Sequence, residues 1–324
     1  MSRRGWVLFI ALCLIWGMPY LMVRVAVREL DPWTLVFFRT LLAAATLTPF
    51  ALRSGGLRGL LKHWPWILAF TALEMSLPWL LIATAEQRLT SSLAGLLIGA
   101  MPLIGVGLYR LTGEHYTFDV RHVTGLACGL AGVIALVGIN VGNGDIVGVI
   151  ELLIVDLSWA VAPIIIVKRL GGLSSVSIAM VALWINTLAF APMAATHLPA
   201  SVSGETVLAV LILAVLCTAF AMVVYMSLVH EVGPSRSAII TYVNPLVAVL
   251  LGMVVLGEPL TLGIAVATPL ILIGSVLATA PSIDPAKGDA SSTAGGAGED
   301  GEPEGGDDAG GTGGTAAADG AARS

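Results

Sequence analysis

Ten apolar runs, each about as long as a helix must be to cross roughly 30 Å of hydrocarbon, follow one another between residues 6 and 280. They fall at 6–27, 33–52, 64–84, 90–109, 121–140, 146–167, 175–194, 206–227, 236–256 and 262–280. Any one of them suits a buried helix of a soluble domain, but a single globular core cannot hide ten. With 57% hydrophobic and 11% charged residues over 324 positions, a soluble domain would have too little polar surface. Short alternating strands of an outer-membrane barrel are missing, and the first run is too long, with nine more after it, for a cleavable signal. Interior glycines and prolines shorten no run fatally, because neighbouring helices can satisfy the freed backbone groups. The expected fold is an all-α integral membrane protein with ten transmembrane helices.

An even number of spans puts both termini on one side. That side would carry Arg3, Arg4, Arg53, Arg58, Lys62, Arg110, Arg121, Lys168, Arg169 and Arg236, against only Arg28 and Arg88 on the other. The excess of basic loops predicts cytoplasmic termini in the cell inner membrane. The net charge of -5 misleads about partners, because nine acids after Pro281 face only Lys287 and Arg323. This glycine-rich segment, residues 281–324, has nothing large to bury and reads as a disordered cytoplasmic tail.

Cys13, Cys128 and Cys217 sit alone in three different runs, and the "HE" at 230–231 lacks the second histidine of a zinc protease motif. No nucleotide-binding loop with its lysine and serine is present either. The sequence therefore supports no metal site, no cofactor, no nucleic-acid partner and no enzyme activity. Energy for transport would come from a gradient or an exchanged solute.

The chain contains a repeat. A constant offset of 143 residues pairs Ser92 with Ser235, Pro102 with Pro245, Leu103 with Leu246 and Trp16 with Trp159; one extra residue later, Gly113–Glu114 meets Gly257–Glu258. Five spans per copy is an odd number, so the second copy would enter the membrane from the opposite side, the inverted arrangement from which secondary transporters build two related states. The expected organisation is two inverted five-helix repeats, residues 1–140 and 141–280, followed by the tail.

The segments "LIWGMPYLMVRVAV", "DPWTLVFFRTLLAA", the two serine-to-proline-to-glycine-glutamate stretches and "GDIVGVIELLIVDLSWAVAPIIIVKR" together resemble the drug/metabolite transporter superfamily, specifically its EamA-type ten-helix permeases, over about residues 6–280. The resemblance implies paired five-helix repeats, no ATP, and movement of small organic solutes, often outward. Arg24 stands where relatives often have lysine, and Glu74 interrupts a segment expected to be mostly neutral. Both bear on substrate choice.

Site residues should be those that hydrocarbon tolerates least, since an acid or arginine near mid-helix costs roughly 2.5 to 3.5 kcal/mol. Arg39, Glu74 and Asp156 are the first candidates. Arg39 could hold a carboxylate or phosphate-like group of a solute, or neutralise Glu74 or Asp156 in the empty protein. The two acids are the candidates for proton coupling. Trp16 and Trp159, at matching positions of the repeats, could wall a pocket or simply pack. Tyr20 shares a face with Trp16, and Asp156 shares one with Trp159. Asn244 precedes Pro245, where a missing backbone hydrogen bond can open the helix, and its amide could bind a solute across the gap or simply pack. Pro102, Glu114, Pro245 and Glu258 read as repeat hinges or caps, with the two glutamates serving the first turn of the helix that follows each. Glu86 and Arg88 flank the outward loop between the third and fourth runs, where they read as solvated loop residues or as an outer vestibule, and Gly95–Gly99 and Gly125–Gly129 read as close helix contacts.

The leading expectation is a secondary transporter of a small metabolite or amphipathic organic solute, exporting by alternating access. A sensory or structural membrane protein that kept the repeat is the rival class, and a channel or scramblase the third. The bilayer, a small organic solute and protons are the expected partners; the sequence leaves a homodimer open.

Overall fold

The computed structural model describes residues 2–53, 59–111, 120–140, 145–233, 237 and 239–279. Among the described residues the chain is helical: α1 Arg3–Ala26, α2 Pro32–Arg53, α3 Leu60–Ala85, α4 in two pieces, Ser91–Ile98 and Met101–Leu111, α5 Val120–Asn140, α6 Ile146–Arg169, α7 Ser175–Thr196, α8 Gly204–Val232, α9 Ile240–Leu256 and α10 Leu262–Ala278. Among the described residues seven helices are long and apolar enough to cross a membrane; α4, α9 and α10 are shorter apolar helices. The tail and Glu114 lie outside the described residues.

Helix starts are written locally. Ser2, Thr90, Ser174, Ser203 and Thr261 each accept a backbone N–H of the first turn through the side chain, satisfying donors that a helix leaves free. Gly257, at φ 66°, ends α9 in a conformation that side chains disfavour. α4 is interrupted just ahead of Pro102, whose ring has no N–H to give the carbonyl of Ile98.

Two helices contain wide turns. α3 passes through a π-turn at Ala72–Ser76 and α8 through a longer one at Ile212–Phe220. Both break the regular ladder inside an otherwise apolar helix, as π-bulges at functional sites do.

Helix packing follows an exchange pattern. α1 packs on α9 as α6 packs on α4, and α1 on α8 as α6 on α3, while α2–α7, α4–α9 and α5–α10 are pairs between equivalent numbers of each half. α5 and α10 meet backbone to backbone: a Cβ on Gly274 would come within 2.5 Å of the Gly129 nitrogen. Large apolar side chains such as Val254, Leu188 and Leu262 point outward, a girdle that water would not tolerate but lipid does.

The bundle has two ends. At the near end the start of α1 meets the end of α8, where the Ser2 hydroxyl donates to Glu231 Oε1 at 2.5 Å, and Arg169 at the end of α6 stacks on Trp66 near the start of α3. At the far end lie the connections 27–31, 86–90, 197–203 and 257–261.

Candidate functional site

A cavity of about 600 Å³ lies among α1–α4 and α6–α9, four helices from each half, and takes none of its lining from α5 or α10. That is the size of a small-molecule site. Its chemistry centres on Arg39, whose side chain comes from α2 into a space that is otherwise mostly aromatic and aliphatic.

Arg39 is 8% exposed. Its guanidinium lies over the Trp79 ring, 3.8 Å from the centroid, and its Nε donates to Thr218 Oγ1 at 3.3 Å. The Thr218 hydroxyl donates in turn to the carbonyl of Leu213, five residues back, at 2.7 Å, so the wide turn of α8 is what aims this threonine at the arginine. Stacking on an aromatic face holds the charge flat without neutralising it. Arg39 pairs with neither Glu74 nor Asp156: the ion pair among the described residues is Arg88 with Glu151, at 3.5 Å. The two terminal nitrogens of Arg39 have no hydrogen-bond partner among the described residues. The mutual neutralisation that the sequence allowed is therefore absent.

Glu74 sits in the π-turn of α3 and lines the cavity. Its carbonyl accepts the Trp159 indole N–H at 2.9 Å, which anchors the Trp159 ring across from α6 while the same ring faces the cavity. Trp159 is thus both packed and a wall. Trp16 and Tyr20 line the opposite side from α1, and Trp16 packs against Tyr225 with centroids 5.1 Å apart. Asn244 and Pro245 line it from α9, and Pro102 from α4; Asn244 Oδ1 is buried without a hydrogen-bond partner among the described residues.

Asp156 is placed differently from the expectation. It is fully buried, both carboxyl oxygens lack partners among the described residues, and it does not line the cavity. The three-residue step to Trp159 leaves about 60° around the helix and about 4.5 Å along it, enough to send the ring to the space and the acid into the wall.

Two further expectations are corrected. Glu86 is no solvated loop residue: it is fully buried, and its carbonyl accepts the Arg24 guanidinium. Glu258 does not serve the helix that follows it, whose start is capped by Thr261. Its carboxylate caps α4 instead, across 167 positions of sequence. Trp79, Thr218 and Tyr225 were not singled out from sequence. The one available signal was the repeat: the offset of 143 lays Thr218 on Met75, beside Glu74, in the corresponding helix of the other half.

An apolar outer surface around a bundle of helices, with a cavity inside it and a cation that has no ion pair among the described residues, is the build of an integral membrane protein. The chain belongs to the EamA-like transporter family, which matches residues 3–138 and again 146–280. It is 32% identical over 297 residues to the uncharacterized inner membrane transporter YedA of Escherichia coli (strain K12), covering 87% of this chain and 95% of that protein. An uncharacterized transporter of Archaeoglobus fulgidus is 25% identical over 292 residues, covering 86% of this chain and 99% of that protein. A protein of known crystal structure superposes with a TM-score of 0.61 at 21% identity, covering 86% of this chain and 98% of that chain, a likeness of fold.

Proposed function

We propose that this protein is a secondary transporter that moves a small amphipathic organic solute by alternating access, outward across the inner membrane, with its anionic group held on Arg39 and its apolar part between the aromatic walls. The observation that carries this reading is the cavity of about 600 Å³ lined by helices of both halves, with the terminal nitrogens of Arg39 free of hydrogen-bond partners among the described residues. A buried guanidinium with open donors suits a carboxylate or phosphate-like group in a two-point contact. The YedA relative is named as an inner membrane transporter, which supports the location.

Ten membrane-crossing helices in two inverted repeats, residues 1–140 and 141–280, are part of the proposal. The two matched windows and the exchange pattern of helix packing support it, since a half-turn that swaps α1 with α6 and α3 with α8 returns the same set of main contacts. The basic loops support cytoplasmic termini, which would make the near end cytoplasmic. Glu74 and Asp156, carboxyls without an ionic partner among the described residues, are the groups on which a proton gradient would act. Pro102 and Pro245 are proposed hinges of α4 and α9.

Counterflow in liposomes containing the purified protein, screened with organic acids, amino acids, nucleosides and cationic compounds at matched membrane potential with and without a pH gradient, tests the proposal. Saturable flux that is lost in Arg39→Ala is the expected result. Flux indifferent to the pH gradient would remove the proton from the mechanism, and absence of flux for every solute would favour a sensory or structural role.

A further inference from the structure

We propose that Glu258 and the first turn of α4 form a latch that holds the far end of the cavity shut, so that the cavity opens there only when this carboxylate releases α4. The inference rests on the alternating-access reading above. Glu258 Oε1 accepts from the Ser91 N–H and the Ser91 hydroxyl, both at 2.9 Å; Oε2 accepts from the Ser92 N–H at 2.9 Å and the Ser92 hydroxyl at 2.5 Å. With Thr90 accepting the Leu93 N–H, the first turn of α4 has its free donors met by one side chain of its own and one carboxylate from the other half. A carboxylate at a helix N-terminus also meets the positive end of the helix dipole, so its bonds to the buried Ser91 and Ser92 are charge-assisted.

The backbone is shaped for this contact. Gly257 turns the chain at φ 66°, the Glu258 N–H returns to the carbonyl of Gly252 at 3.1 Å, and the carboxylate then lies against Gly252. A Cβ at Gly252 would stand 2.3 Å from Ser92 Oγ and 2.5 Å from Glu258 Oε2. Any larger residue there would push the two partners apart. The clamp is thus built from three elements, of which the glycine leaves the space, the turn delivers the acid and α4 supplies the donors.

Its position gives it a mechanical meaning. α4 and α9 are the two lining helices that it joins, and below it they cross closely: a Cβ on Gly95 would come within 2.4 Å of Ala248 Cβ, and one on Gly99 within 2.6 Å of Pro245 Cγ. Cavity residues toward the far end, Val23, Ile82 and Ile98, are buried, whereas Ser175 at the near end is exposed. Other ties crowd the same far end: Arg24 to the Glu86 carbonyl, the Ser203 N–H to Glu29 at 2.7 Å, and the Thr34 hydroxyl to the His197 carbonyl at 3.2 Å. The Ser203 amide holds the Glu29 carboxyl below its ordinary value. The Thr34 tie likewise joins two lining helices, α2 and α7, and the Arg24 tie joins α1 to α3; Glu258 differs in meeting a helix start with a carboxylate that takes two backbone and two hydroxyl donors.

The test labels the full-length protein in right-side-out and inside-out vesicles with a membrane-impermeant maleimide, reading the rate at Ile98→Cys and, as the near-end control, at Met226→Cys by peptide mass. In the parent, both thiols are expected to react from the face that carries the termini. In E258Q, the Ile98→Cys thiol is expected to react about tenfold faster from the opposite face, because loss of charge-assisted bonds shifts a two-state balance by about that factor. The double variant S91A/S92A removes only the hydroxyl donors and should shift labelling the same way by a smaller factor; it decides the matter if E258Q elutes as an aggregate. Labelling like the parent's in well-folded variants overturns the latch. Solute flux in the same vesicles separates the two readings: intact flux with unchanged labelling sinks the latch alone, and shifted labelling without flux for any solute sinks the carrier alone.

Discussion

Two seams in this bundle are built on glycines four residues apart, and they do different things. Gly125 and Gly129 of α5 meet α10 through backbone: a Cβ on Gly125 would lie 2.4 Å from the Ala278 nitrogen and 2.8 Å from the Gly274 oxygen. Gly95 and Gly99 of α4 meet α9 through side chains, Ala248 and Pro245, and both glycines also line the cavity. The first seam lines no part of the cavity, and at Gly125 and Gly274 what stands opposite is backbone, which cannot swing aside. The second is backed by space, by Pro245 and by the Glu258 clamp. Close packing of small residues fastens helices in lipid; whether the joint is fixed or movable depends on what stands opposite the glycine.

The largest expected effect follows from the fixed seam. Gly274→Leu puts a side chain where the Gly129 nitrogen stands at 2.5 Å from a Cβ, and backbone cannot yield as a side chain does. A loss of about 3 kcal/mol of stability is expected, with solute binding by the surviving folded fraction unchanged. Thermal unfolding in detergent followed by gel filtration measures it. A melting point equal to the parent's would mean that α5 and α10 are not fastened here.

Next comes a change that should spare stability and remove function. Arg39→Ala takes away the open guanidinium, and flux should fall by about 30-fold, the worth of roughly 2 kcal/mol of charge-assisted contact. Arg39→Lys keeps the charge but loses the flat stacking on Trp79, and should recover only part of the flux. If Arg39→Ala melted early and transported normally, the arginine would be a structural group and the cavity would need another anchor.

The apolar runs told where helices lie, because a bilayer asks for length and oiliness and little else. They did not tell that α3 and α8 widen into π-turns, since nothing in "ALEMS" or "ILAVLCTAF" forces the turn apart from the contacts each makes in the bundle. Arg39 and Glu74 stood out by cost, the same cost that fixes them beside a cavity rather than lipid. Asp156 stood out for the same reason and lies in the wall, because periodicity gives the face of a helix and not the depth of the space in front of it. Thr218 and Trp79 were invisible as cavity groups: a threonine in an apolar helix ordinarily bonds its own backbone, and only the presence of Arg39 opposite gives it a second task. Glu258 was seen as a cap and assigned to the wrong helix, since a cap is legible locally only when its helix is the next one. Glycine spacing marked both seams and distinguished neither.

The movable seam gives the third test. Gly95→Ala sets a methyl 2.4 Å from Ala248 Cβ, and Tyr20, 3.2 Å away, can yield. Stability should fall by about 1 kcal/mol, less than at Gly274. Flux should fall more than stability does, because the crossing of α4 on α9 would be set at a new distance in both states. Turnover measured beside the melting point checks this. A large loss of stability with normal turnover in the folded fraction would make this seam as rigid as the other and erase the difference between them.

The smallest effect belongs to Thr218→Val, which is nearly the same size and lacks only the hydroxyl. Arg39 Nε would lose its hydrogen bond to Thr218, at 3.3 Å a long one worth about 1 kcal/mol, while the stacking on Trp79 remains. The guanidinium should then be less well aimed, raising the half-saturating solute concentration about fivefold with little change in maximal flux, since positioning is lost and charge is not. Because Thr218 also bridges to the Leu213 carbonyl, valine additionally frees that acceptor within the wide turn. A solute that itself bonds the freed Nε would mask the loss of aim, so an unchanged half-saturating concentration, with Arg39→Ala still inactive, would mean that the solute and not Thr218 sets the position of the arginine.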